Sequence, residues 1–153
     1  MKIRVATESD IPELAKLYRD SVTAIAKEYY SPEQVATWAA SSRNTEGFKK
    51  FILEATTFLA EKSDKILGFS GVENDGHVAS IYVRPGYFRQ GIGTRLLEVV
   101  VEHAQIHNIP QLYSEASEFS KPLFEKFGFQ NYDIERVNRN GVWFERYLMR
   151  RSL

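Results

Sequence analysis

The stretch "YVRPGYFRQGIGTRLLEVV", Tyr82 to Val100, decides how the rest of the chain is read. An apolar strand stops at Pro85, a basic turn containing Arg89, Gly91 and Gly93 follows, and a helix begins at once. The first backbone N–H groups of a helix have no intrahelical acceptor, and the helix dipole adds partial positive charge there. Such a junction favours an anion, and the anion it predicts is a phosphate. Beyond the turn, Ile92, Leu96, Leu97, Val99, Val100 and Ala104 form a helical stripe that ends near Asn108-Ile109-Pro110.

Upstream of the quoted stretch lie three strand candidates, "TTFLAEK", "KILGFSGVE" and "HVASIYV". The short turns between them, Ser63-Asp64-Lys65 and Asn74-Asp75-Gly76, suit hairpins and predict an antiparallel meander. Nearer the N-terminus, "KIRVA" alternates like a short strand. Ser9-Asp10 then caps a helix whose apolar positions Ile11, Leu14, Ala15, Leu17 and Tyr18 carry it to about Lys27. A second helix starts at Ser31 as N-cap, with Pro32 in the first turn, Gln34 closing a capping box, and Trp38 further along. "TEGFKKFILEA" is a third, weakened by Gly47.

Downstream, "QLYSEA" is a strand. The helical crossover before it makes it a natural parallel neighbour of "HVASIYV". "SKPLFEKFGF" is a short helix closed by Gly128, and "QNYDIERV" with "VWFERYLMR" form a last hairpin around Asn138-Arg139-Asn140-Gly141. This order predicts a mostly antiparallel sheet with helices on both faces.

Composition narrows the function classes. The 153 residues suit a single domain spanning 1–153, with no low-complexity linker or repeat. Twenty basic and twenty acidic side chains cancel, so no global field favours nucleic acid or an anionic membrane. The absence of cysteine excludes disulfides, thiolate nucleophiles and zinc–cysteine clusters, and no metal is implied. No stretch reaches the ~18 apolar residues of a membrane span, and the polar start "MKIRVATESD" makes a cytoplasmic protein the default. Two rival phosphate sites fit poorly. A dinucleotide fingerprint needs a third glycine at the Arg95–Leu96 level and a parallel sheet, and a P-loop needs the lysine that "GIGTR" lacks.

Read together, these segments resemble the GNAT superfamily of acetyl-CoA-dependent N-acetyltransferases over essentially the full length. "YYSPEQVATWA", "SKPLFEKFGF" and "RNGVWFERYLMR" look most like its YafP-like bacterial branch. The family's loop Gln/Arg-x-x-Gly-x-Gly/Ala falls on Phe88, Arg89, Gln90, Gly91, Ile92 and Gly93, with Phe88 where Gln or Arg is usual. Arg89, Gln90 or Arg84 is then expected to supply the missing donor. The family's Asn-x-x-Ala-x-x-Phe-Tyr-Glu-x-x-Gly-Phe pattern falls on Ser117, Ser120, Leu123, Phe124, Glu125, Gly128 and Phe129.

The resemblance implies an α/β (α+β) GNAT fold: a central, mostly antiparallel, mixed seven-stranded sheet with splayed fourth and fifth strands. It implies acetyl-CoA as cosubstrate, bound by the loop from Phe88 to Thr94, by the free backbone of Ile81, Tyr82 and Val83, and by Ser117 and Phe124. A prepositioned backbone donor there would stabilise charge developing on the acetyl oxygen, without a covalent enzyme intermediate. The usual tyrosine acid is absent at Phe124, which leaves Tyr30, Tyr113, Ser114 and Tyr132 as candidate donors. Glu115, at the end of the fifth strand, is the first choice for a base, against a plain solvated carboxylate. His77 reads as an exposed turn histidine that could also accept a proton.

The acceptor, a small-molecule amine or a peptide, is expected between the first helices and the final hairpin. Glu28, Tyr29, Tyr30, Trp38, Trp143 and Glu145 frame it, although either tryptophan alone reads equally as core. The family admits a homodimer. A GNAT-fold module that binds acetyl-CoA as a sensor, with little turnover, is the rival function.

Overall fold

The computed structural model describes residues 1–153, the side chain of Ala26 excepted. Its elements run β1 (Lys2–Val5), α1 (Ile11–Ala26), α2 (Pro32–Ala40), α3 (Thr45–Leu53), β2 (Thr56–Lys62), β3 (Lys65–Val72), β4 (Val78–Val83), α4 (Ile92–Ile106), β5 (Gln111–Ala116), α5 (Lys121–Lys126), β6 (Gln130–Arg139) and β7 (Val142–Ser152). The expected strands and helices are all present. The capping box at Ser31 forms as read: Gln34 N–H donates to Ser31 Oγ at 3.1 Å and Ser31 N–H to Gln34 Oε1 at 2.9 Å.

One helix start differs. Thr7, rather than Ser9, opens a short 3-10 turn that runs into α1. The Asp10 carboxylate turns back to accept from Thr7 N–H at 2.8 Å and from Arg4 at 2.8 and 2.9 Å, so it anchors β1 instead of capping α1. Arg4 holds the Asp10 carboxyl down at about 2.

The seven strands form two antiparallel sheets rather than one continuous sheet, ordered β1-β2-β3-β4 and β5-β7-β6. A single parallel bridge, His77 to Tyr113, joins them among the described residues. The expected parallel pairing of β4 with β5 therefore lasts one residue, while the other edge of β5 pairs with β7 from Gln111↔Ser152 to Ala116↔Tyr147. Past the bridge the two strands diverge, which is the splay the family resemblance implies.

Helices cover both faces of the four-stranded sheet. α1 packs on β3 and β4, with α2 and α3 beside it, and α4 packs on the opposite face of β2, β3 and β4. This two-sided cover explains why β3 is buried at every residue after Lys65 and reads as a nearly continuous apolar run. Leu14, Leu17, Phe48, Leu59 and Phe69 fill one side, with Trp38 and Tyr82 packed against them. Leu97, Val100, Leu112, Phe124, Phe129 and Met149 fill another cluster around α4 and β5.

Candidate functional site

The start of α4 is made of backbone. Gly91 is its N-cap with φ +82°, in the left-handed region that glycine adopts without strain, and no side chain caps the helix. The amides of Ile92, Gly93 and Thr94 thus open outward. A Cβ built on Gly91 would meet nothing within 4 Å, so the space above these donors is free. A Cβ on Gly93 would lie 3.0 Å from Leu123 Cδ2, so glycine there lets α5 close onto the start of α4.

Phe88, in the position of the missing polar side chain, packs against Phe119 with ring centroids 5.4 Å apart and ties the loop to the β5–α5 connection. Of the substitute donors, Arg84 is engaged elsewhere: its Nε donates to the Ile66 carbonyl at 2.6 Å and its Nη2 to Glu13 at 3.1 Å. Gln90 donates to the Gly86 carbonyl. Arg89 faces solvent. Lys126, which donates to Thr94 Oγ1 at 3.3 Å, adds a cation beside the loop that sequence reading did not single out.

The loop leads back to the open edge of β4. Arg84 N–H donates to the Leu67 carbonyl at 2.7 Å, and alternation along the strand then turns the amides of Ile81 and Val83 away from β3, toward the gap left by β5. The Tyr82 side chain points to the α1 face. Its ring lies 4.7 Å from that of Tyr18, and its hydroxyl accepts from Trp38 Nε1 at 3.4 Å. Burial pushes that hydroxyl well above the ordinary tyrosine range.

A cavity of about 940 Å³ opens on this face at the splay. Tyr18, Tyr30, Trp38, Phe48 and Phe51 wall one side, Ala79, Tyr82, Glu115 and Ser117 line the diverging strands, and Val137, Arg139, Asn140 and Phe144 come from the last hairpin. Tyr30 stands edge-on to Trp38 with centroids 5.4 Å apart. Its hydroxyl accepts from Glu118 N–H at 3.1 Å, and burial raises its pKa, so it remains protonated at neutral pH. Tyr30, in the joint before α2, and Trp38, two turns along that helix, flank one opening without sharing a helix face.

Glu115 is engaged. His77 Nε2 lies 2.9 Å from Glu115 Oε1, and its Nδ1 lies 2.6 Å from Glu73 Oε1. The hydrogen bond from His77 holds Glu115 below the ordinary carboxylate range, and Glu115 with Glu73 raises His77 to about 9. All three side chains line the cavity. His77 is therefore no exposed turn histidine: its side chain is 23% accessible and fixed on both nitrogens.

Several expected positions fall elsewhere. Phe124 is 1% exposed and packs on Phe129, centroids 5.0 Å apart, because α5 turns that side chain into the core around α4. It is not on the cavity wall. Trp143 is neither core nor wall. Strand alternation buries Val142 and Phe144 on one face of β7 and turns Trp143 to the other, 53% exposed beneath the Arg136 guanidinium. Phe144 takes the place expected of it in the cavity, and Glu145 borders the same space.

Glu28 and Tyr29 are exposed before α2. Tyr132 lies outward on β6 under Arg150. Ser114 is buried and donates to the Val78 carbonyl at 2.7 Å, and Tyr113 donates to Asp75, so neither faces the cavity as a proton donor. Glu73, Phe144 and the hairpin residues Arg139 and Asn140 were not singled out in the sequence. For Glu73 a signal existed, since a hairpin turn between positions 73 and 77 sets them opposite each other, with Glu73 N–H donating to the His77 carbonyl at 2.8 Å.

Comparison with known proteins agrees with this geometry. The profile of a family described as "Acetyltransferase (GNAT) domain" matches residues 26–151. An uncharacterized N-acetyltransferase of Escherichia coli K12, YafP, is 28% identical over 151 residues, covering 98% of this chain and 95% of that protein. A GCN5-related N-acetyltransferase from Rhodopseudomonas palustris superposes with a TM-score of 0.95 at 24% identity, covering 99% of this chain and 95% of that one. PaiA N-acetyltransferase from Thermoplasma acidophilum, solved with coenzyme A, superposes with a TM-score of 0.79 at 17% identity over the whole of both chains. No helix of the described residues is long and apolar enough to cross a membrane.

Proposed function

This chain belongs to the GNAT acetyltransferase family, and from that premise we propose that it transfers the acetyl group of acetyl-CoA to a primary amine of a small molecule or peptide held in the cavity at the β4–β5 splay. One observation carries the reading: β4, whose Ala79 and Tyr82 line an aromatic cavity containing a carboxylate, runs on through the glycine loop into the uncapped start of α4.

The residues present fit the cosubstrate. The outward amides of Ile92 to Thr94, with Arg89 and Lys126 nearby, suit a pyrophosphate. The free edge at Ile81 and Val83 suits the amides of a pantetheine arm, as an added strand would. Acetyl-CoA supplies the activated acetyl thioester. In the exchange an N–C bond forms, the C–S bond breaks and a thiolate leaves. A backbone N–H at the β4 edge donates to the carbonyl oxygen as negative charge grows there. Glu115, ionised, takes the ammonium proton directly or through water, and Tyr30 keeps its hydroxyl proton available for the thiolate.

The acceptor is a cation before it reacts, which suits aromatic walls with Glu73 and Glu115 at the far end. A requirement for acetyl-CoA fits a cytoplasmic location.

Thiol release from acetyl-CoA, followed across amino acids, spermidine, tyramine and short peptides, tests the reading. With the fastest amine, Glu115→Gln should lower kcat/KM by about 10²–10⁴-fold and leave coenzyme A affinity within a few-fold. An unchanged rate would remove Glu115 from the reaction.

A further inference from the structure

His77 occupies the vertex of the splay. Its backbone forms the single bridge to Tyr113, its N–H donates to Asp75 Oδ1 at 3.0 Å, and its ring stacks on that of Tyr113 at 5.0 Å and 28°. Its two ring nitrogens face two different carboxylates, Glu73 at 2.6 Å and Glu115 at 2.9 Å. A neutral imidazole has one N–H donor, so it would point a lone pair at one of these oxygens, whereas an imidazolium donates to both. The geometry suits only the charged ring.

Resting on the reading of Glu115 as the base, we infer that His77 is a positioning residue for acetyl transfer: clamped as an imidazolium between Glu73 and Glu115, it aims the Glu115 carboxylate into the cavity and keeps it ionised. The groups that face this unit are Glu73 and Asp75 from the β3–β4 turn, Tyr113 and Glu115 from β5, and Arg146 from β7, whose charge also favours ionised Glu115. Glu73, Asp75 and Glu115 outnumber the one imidazolium, so the vertex keeps negative charge for an incoming ammonium while Glu115 itself stays below its ordinary range. Of the two carboxylates on the ring, Glu73 is 44% accessible, and the less accessible Glu115, at 25%, is the one the ring holds toward the reacting groups.

Two measurements test this. Imidazole ¹⁵N NMR of the intact protein should show both His77 nitrogens protonated at pH 7.5, with a midpoint near 9 that falls in Glu115→Gln. A neutral His77 ring at pH 7.5 overturns the inference.

The second is the pH profile of thiol release from acetyl-CoA with the fastest amine of the panel named above. His77→Gln keeps a hydrogen-bonding side chain but no charge. Glu115 should then require higher pH to ionise, so the acid limb of kcat/KM moves up by about one unit; at neutral pH Glu115 is ionised in both proteins, so a fall of about tenfold there reports the lost aim of its carboxylate, with the acetyl-CoA KM within about twofold. His107→Gln, at the far end of α4, sets the baseline. A loss that is equal at every pH and matches the loss of folded protein overturns the positioning role alone. Absence of thiol release with every amine of the panel overturns the reading of the site, and this inference with it.

Discussion

The loop before α4 and the vertex between β4 and β5 border the same gap, yet they are built from different material. The loop is backbone: a left-handed Gly91, a closely packed Gly93 and the outward amides after them. The vertex is side chain, with Glu73 and Asp75 from a turn, His77 from the bridge and Glu115 from the next strand. A site made of consecutive amides depends little on the side chains around it, so Phe88 in a polar position leaves its donors in place. A site made of side chains from separate elements depends on each partner.

Breaking the loop should have the largest effect. In Gly91→Asp a carboxylate stands over the amides where an anion is expected, at a backbone angle that L-residues rarely adopt. The new Cβ meets nothing within 4 Å, so the cost to the fold is confined to a left-handed aspartate, about 1 kcal/mol. Calorimetric titration should find coenzyme A binding weakened by about 10³-fold or more, with the melting temperature within a few degrees of the parent. Retained affinity would mean that the anion site lies elsewhere.

The same contrast explains what the sequence made legible. The order of elements, the Ser31 capping box and the glycine loop rest on neighbours within a few residues, so period and turn chemistry reveal them. The vertex rests on register between separate strands, which sequence spacing does not state. His77 beside Asn74-Asp75-Gly76 looks like any turn histidine until β5 brings Glu115 against it. Trp143 failed for a related reason. Its segment was correctly read as a strand, but which of two faces it occupied was not, and Phe144 rather than Trp143 turned inward. Phe124 was aligned by family register to a cofactor contact, although its helix is short and its side chain completes the core.

Phe124 therefore sharpens the division between site and support. If it lined the cofactor, Phe124→Ala would first weaken coenzyme A binding. At 1% exposure it should instead lower stability by about 3–5 kcal/mol, and Phe124→Tyr should also destabilise, by about 1–3 kcal/mol, because the new hydroxyl enters an apolar cluster. Denaturant titration gives the stability loss. Coenzyme A affinity per folded molecule should remain near that of the parent, and a selective loss of affinity in a stable Phe124→Ala protein would return this residue to the site.

The smallest effect belongs to Trp143, and it is informative because Trp38 supplies the matched comparison. Trp38 is partly buried against the α1–α3 core, donates to the Tyr82 hydroxyl and walls the cavity, so Trp38→Ala should destabilise by about 1–3 kcal/mol and raise the amine KM as well. Trp143 is more than half exposed on the opposite face of β7. What Trp143→Ala removes is its stacking under Arg136 at 5.1 Å, an exposed contact contributing about 0.5–1 kcal/mol. The hydrogen bond from Gln34 to position 143 is accepted by the backbone carbonyl at 2.7 Å and survives the truncation, so the α2–β7 contact is kept. Melting temperature should fall by roughly 2–4 °C at most, and amine kinetics should match the parent. If Trp143→Ala raises the amine KM as much as Trp38→Ala does, the acceptor reaches across the hairpin to the outer face of β7, and the cavity alone does not define its site.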